Sequence, residues 1–170
     1  MRAKRMLFSL LLLCYICSCF LSCGEKTKDV SYCELGMFLP SDFEEYDSEG
    51  VFDLALKSEG VVVGFIRLSF DAAIDDGIPA TLSPLKFATE YRKLTGKQDV
   101  ATEAKEHGDV AYFTYSSESD GEAIVYLPTF YKSFYAYFVV TFIGKGMSEE
   151  ELASRCLPYT ESAYLEYPKQ

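Results

Sequence analysis

The stretch Phe134–Gly144, reading FYAYFVVTFIG, constrains the architecture of this chain more than any other segment. Read with the two-residue period of a strand, it places Phe134, Ala136, Phe138, Val140 and Phe142 on one face. Tyr135, Tyr137, Val139, Thr141 and Ile143 fall on the other. Both faces are apolar, and the residues are aromatic or β-branched, as pleated sheets favour. A strand of this kind belongs in the middle of a sheet that is covered on both sides. The fold must therefore supply a sheet and two covers.

The sequence punctuates the remaining elements. Cys33, Leu35, Met37 and Leu39 alternate in a strand from Tyr32 to Leu39, which Pro40 ends. After the acidic loop SDFEEYDSEG come VFDLALKS, the turn SEG and VVVGFIRLSF, so three successive strands are expected to form a meander. Residues 71–81 read as a loop. A helix follows, with Ser83 as cap, Pro84 in its first position and Gly96 just past its end. VATEAKE, VAYFTYSS and EAIVYLPTFYK, separated by HGD and SDG, then lead by a tight turn into the central strand. Ser148 and Glu151 form a capping box that opens a last helix with Leu152, Cys156 and Tyr159 on one face, kinked or divided at Pro158. The expected class is α+β: an antiparallel sheet of six or seven strands in the order βββ-α-ββββ-α, with helices on both faces.

The N-terminus concerns location rather than fold. Arg2, Lys4 and Arg5 precede an almost wholly apolar run from Met6 to Ser22, the pattern of a secretory signal. The run is slightly short for a membrane-spanning helix. Cys14, Cys17, Cys19 and Cys23 lie in or just after it without a histidine or carboxylate beside them, which argues against zinc. FLSC followed by GEK resembles the lipobox of bacterial lipoproteins. That resemblance implies acylation of Cys23, with Cys19 in ICSC as the competing position. Ordinary signal cleavage and an uncleaved anchor are the alternatives. It further implies a cell-envelope location, lipid-anchored on the outer side of the cytoplasmic membrane. Residues 1–22 would then be signal, 23–30 a polar tether and 31–170 one domain. Beyond residue 22 stand 13 Lys and Arg against 26 Asp and Glu, a formal charge of −13. Such a domain repels nucleic acid and anionic headgroups.

The order of elements also resembles the PsbP-like fold, an α-β-α sandwich shared by photosystem extrinsic proteins, a Ran-binding import factor and many bacterial lipoproteins. The segments that carry the resemblance are ELGMFLPSDFEEY, SPLKFATEYRKLTG, and VAYFTY leading to YAYFVVTF before an acidic last helix. It spans most of residues 31–167 and implies a fold, not an activity.

The catalytic signals are sparse. His107 is the only histidine, placed in the turn EHGD as a surface residue, and no nucleophile motif accompanies it. The acidic loops lack a calcium-binding pattern, so neither metal nor other cofactor is expected. Cys33 and Cys156 both fall on inferred buried faces; in an oxidising compartment the pair invites a disulfide, the alternative being two buried thiols. Tyr112, Tyr115, Tyr126, Tyr131, Tyr135 and Tyr137 lie on neighbouring strands. They either line a groove for sugar rings or peptide, or pack across strands beneath the helices. The expected function is that of a non-catalytic binding module whose partner, beyond the membrane, is an envelope component or a secreted protein. A hydrolase with an unrecognised site and a structural spacer are the alternatives.

Overall fold

A computed structural model describes residues 26–166. The expected acylation positions Cys23 and Cys19 lie outside the described residues. Eleven strands and three helices follow in the order β1 (Thr27–Tyr32), β2 (Leu35–Pro40), β3 (Glu44–Glu45), β4 (Leu54–Ser58), β5 (Val61–Ser69), α1 (Phe70–Asp75), α2 (Pro84–Leu94), β6 (Lys105–His107), β7 (Val110–Tyr112), β8 (Tyr115–Ser119), β9 (Glu122–Lys132), β10 (Ala136–Lys145), α3 (Glu149–Thr160) and β11 (Tyr164–Leu165). The α+β class and the antiparallel sheet flanked by helices are as the sequence predicts.

The large sheet runs β3-β4-β5-β10-β9-β7-β6, with β8 also on β9. β10 is its middle strand, and seven consecutive residues, Ala136–Phe142, are buried. Ala136, Phe138, Val140 and Phe142 join one core with Leu152, Cys156 and the β1–β2 residues Met37 and Leu39. Tyr137 and Val139 join a second core with Phe87, Ala88, Phe113 and Phe130. Each buried large side chain contributes about 1.5–3 kcal/mol of hydrophobic transfer, so the double cover is what stabilises this strand. No buried side-chain nitrogen or oxygen among the described residues lacks a hydrogen-bond partner.

Five expectations need correction. The strand expected from Tyr32 to Leu39 is a hairpin: β1 pairs with β2, and Cys33 sits in the turn at φ 51°, exposed. Thr27–Val30, expected in the tether, form the first part of β1. β2 also stands apart from β4 and β5, in a separate sheet of order β1-β2-β11, so the expected meander divides between two sheets. The expected loop 71–81 begins with α1, capped by the Ser69 hydroxyl accepting from Ala72 N–H at 3.2 Å. Pro158 does not divide the last helix, which runs on to Thr160, whose hydroxyl donates to Leu157 O at 2.6 Å.

VAYFTYSS is interrupted for a local reason. β7 and β8 keep one register on β9, from Ala111 opposite Phe130 to Ser119 opposite Glu122. The break at Phe113–Thr114 falls beside Pro128, which accepts from Phe113 N–H but has no N–H to return.

Candidate groove at one end of the sheet

The β6–β7 hairpin turns through Gly108 at φ 59°, a conformation that glycine adopts without strain. It brings His107 against the end of α3, where His107 Nε2 lies 3.0 Å from Glu161 Oε1. His107 is thus a paired residue on a cavity wall, not a free turn residue. Lys132, the last residue of β9, donates from Nζ to Leu82 O at 3.0 Å and lies 5.7 and 5.6 Å from the Phe70 and Tyr137 ring centres. The Tyr137 hydroxyl donates to Pro79 O at 2.8 Å. Together these two side chains pin the segment between α1 and α2.

Between the β6–β7 hairpin, the end of α3 and β11 lies a cavity of about 470 Å³. Leu35, Val110 and Tyr131 give it apolar walls; His107, Asp109 and Glu161 supply polar ones. A recess of about 560 Å³, bordered by Phe70, Thr81 and Phe134, adjoins it and shares Lys132 and Leu165. The two form one groove. Each volume is in the range of small-molecule sites, with a few converging polar groups on an apolar wall. At its rim, on the β9–β10 turn, Phe134 is 70% exposed, and the next residue, Tyr135, is 57% exposed.

The hydroxyls around the groove are hydrogen-bonded within the fold. Thr160 donates to Leu157 O. The Tyr164 hydroxyl donates to the Asp29 carboxylate at 2.8 Å. Tyr131 is buried, and burial pushes its phenol well above the ordinary tyrosine value, so it stays neutral. Among the described residues, His107 Nε2 is paired with Glu161 and not with any of these hydroxyls. Among the described residues no group of three or more His, Cys, Asp or Glu is arranged to hold a metal.

The expected aromatic surface is dispersed. Tyr112 and Tyr131 pack in the core beneath α3. Tyr137 is fully buried on the opposite face, stacked on Phe87 with centroids 4.1 Å apart. Tyr115 packs on that face too, stacked on its cross-strand partner Tyr126 at 4.6 Å with Lys97 Nζ 4.9 Å from its ring centre. Burial first, then the Tyr126 and Tyr91 phenols, push Tyr115 up to about 12. Only Tyr135 is exposed, at the hairpin tip. Strand alternation sends sequence neighbours to opposite faces, so these tyrosines do not share one groove.

Cys33 and Cys156 are both free thiols, the first exposed and the second on the buried face of α3. Burial pushes the Cys156 thiol up to about 12, which keeps it protonated and inert. Their expected disulfide rested on both lying on buried faces, and the hairpin removes Cys33 from any such face.

Groove residues missed by sequence reasoning include Phe70, Asp109, Lys132, Glu161 and Leu165. His107 and Glu161 are 54 positions apart, and no local pattern joins them.

No protein-family model and no curated protein matches the chain. Solved structures do. A crystal structure from Bacteroides thetaiotaomicron at 1.50 Å is similar with a TM-score of 0.58 and 11% identity, over 84% of this chain. The chain spans about half of that one, 50%. Cyanobacterial PsbP (CyanoP) from Synechocystis matches with a TM-score of 0.44 and 14% identity, over 85% of this chain and 97% of that one. LpqN of Mycobacterium tuberculosis, described as involved in cell envelope biogenesis, matches at 0.44 and 11%, over 84% and 91%.

Proposed function

We propose that the protein is an extracytoplasmic, lipid-anchored binding module that holds its ligand in the groove bordered by His107, Lys132, Glu161 and Leu165 without transforming it. The observation that carries this reading is the groove itself: apolar walls, converging polar groups, and hydroxyls engaged elsewhere. The secretory pattern before Cys23 supports export, and among the described residues no helix is long and apolar enough to cross a membrane.

Two experiments test it. Labelled palmitate should enter the wild-type protein and its Cys19→Ala variant but not Cys23→Ala; label retained in Cys23→Ala would move the anchor, and no label in the wild type would remove it. For the groove, amide spectra recorded against mixed amines, short sugars and short peptides should shift at His107, Lys132 and Leu165, with every ligand recovered unchanged. Steady hydrolysis of an ester, glycoside or peptide, lost in His107→Ala, would replace this reading with the hydrolase.

A further inference from the structure

The groove is bordered by an open sheet edge. Among the described residues, β11 is the end strand of the small sheet and pairs only with β2, Tyr164 opposite Gly36 and Leu165 opposite Leu35. Beyond it, Glu166 N–H donates to Glu34 O at 2.7 Å. Hydrogen-bonded and non-bonded pairs alternate along an antiparallel ladder. The bonded pair at Glu166 therefore makes Leu165–Leu35 a non-bonded one. The backbone N–H and C=O of Leu165 point away from β2, and Leu165, like Lys132, lines both halves of the groove.

The two halves differ in character. One presents Asp109 and Glu161; the other presents Phe70 and Phe134. The ammonium at their junction, Lys132, is engaged by Leu82 O and two aromatic rings. The chain carries 26 acidic against 16 basic residues, so its field repels an anionic ligand and draws a cationic one.

We propose that the groove takes an extended peptide segment of a partner protein, which adds to β11 as a strand and sets a basic side chain toward Asp109 and Glu161 and an apolar one toward Phe70 and Phe134. Strand addition draws affinity from main-chain bonds and specificity from pockets for alternate side chains. The proposal rests on the groove being the binding site. It also places the partner on the end of the domain away from the N-terminal entry. Thr27 lies at the opposite end of the β1–β2 hairpin from Glu34, and Glu34 is bound to Arg67 of β5, near the paired Ser69 and Ala136 that lead into the aromatic turn.

The test uses the protein from Cys23 onward and the blocked peptide Lys-Thr-Lys-Thr-Phe-Thr-Phe, in both sequence orders, with binding read by fluorescence anisotropy and amide shifts. One order should bind and shift Leu165 and His107. Its N-methylated forms, modified at odd or at even positions, should split, one binding and the other at least tenfold weaker. Replacing Lys by Glu in the peptide should abolish binding, and Asp109→Asn with Glu161→Gln should weaken it about tenfold. Leu165→Pro, which removes the edge N–H, should do the same. Equal binding by both N-methylated forms would overturn strand addition while leaving the groove as the site. Groove shifts with sugars or amines but with no peptide would overturn the peptide class alone. No shift at the groove with any ligand would overturn both readings. Self-association of the free protein, abolished by Leu165→Pro, would assign the edge to a second copy and overturn the proposal.

Discussion

The two faces of β10 are built from the same strand and covered in different ways. On one face the cover is a single stretch of chain, α1 and α2, delivered directly after β5. Phe87 of α2 stacks on Tyr137, meets Phe130 edge-on with centroids 5.4 Å apart, and is fully buried. On the other face the cover is assembled from segments far apart in sequence: β1 and β2 from the start of the described chain, α3 and β11 from its end. A local cover can close as one unit. An assembled cover has a seam, and the groove lies along it, where the two-residue β11 faces the β6–β7 hairpin. The assembled face holds the larger buried cluster, and the groove lies where its last segments meet α1 and the β9–β10 turn.

The largest expected effect tests the closed face. Phe87→Ala should cost about 3–5 kcal/mol in chemical denaturation, the usual range for removing a buried aromatic. Amide shifts in the groove should be unchanged in the fraction that stays folded. A cost under about 1 kcal/mol, outside the range for a well-packed core, would mean that α2 can collapse onto the sheet and that this face is not tightly closed.

The next effect tests the seam. Gly36 lies on β2 under the ring of Tyr164, and a Cβ built there would enter that ring. The ring reaches on to Asp29 and Ser31 of β1, so one side chain fastens β11 across the small sheet. Gly36→Ala should cost about 1–3 kcal/mol, as overpacking does, with faster hydrogen exchange confined to residues 164–166. In the double variant with Tyr164→Ala the two costs should be less than additive, because the ring that clashes is gone. Strict additivity would show that β11 is held by something other than this ring.

How much of this was legible in the sequence follows from the same contrast. β10 could be read because seven successive buried positions announce themselves within one strand. α2 and α3 could be read because Ser83-Pro84 and Ser148 with Glu151 are local signals. The β1–β2 hairpin was hidden. Its turn residue Cys33 holds a left-handed φ with no glycine to mark it, and the alternation of Cys33, Leu35, Met37 and Leu39 runs through the turn unbroken. α1, with six residues, is too short for a helical period to emerge. The groove was hidden most completely. Its parts come from α1, β6, β9, α3 and β11, and the pairing of His107 with Glu161 exists only once α3 has docked. The tyrosines were visible but ambiguous, since alternation decides which face each takes and their number says nothing of which faces are covered.

A smaller effect concerns how the assembled cover is joined to the large sheet. Arg67 of β5 donates from Nε and Nη2 to the two Glu34 oxygens, each at 3.0 Å. This bidentate pair holds the Glu34 carboxyl below the usual carboxylate range. A lowered folded-state value means that the contribution is fully present above the unfolded-state value and is lost as pH falls through the folded one. Glu34→Gln should therefore be less stable than wild type at neutral pH, by about 1 kcal/mol after solvent screening of a partly exposed pair. The gap should close as the solution is acidified from the ordinary glutamate value, about pH 4.3, down through the folded-state value. A gap that persists in acid would assign the cost to packing rather than charge.

The smallest effect is the most diagnostic. If the seam is for binding, its polar wall should carry little of the stability. The Glu161 side chain is 66% exposed and that of His107 34%, and exposed pairs of this kind contribute about 0–1 kcal/mol. Glu161→Gln should leave the denaturation midpoint within that margin and still alter the amide shifts that a basic peptide induces at His107 and Leu165. A loss above about 2 kcal/mol, well beyond an exposed pair, would instead make the His107–Glu161 contact a structural latch between β6 and α3. In that case the second cover would be closed by this pair, as the first is closed by its aromatic stack. The groove would then be the space left beside a fastening, and the contrast between the two faces of β10 would reduce to two ways of holding a cover in place.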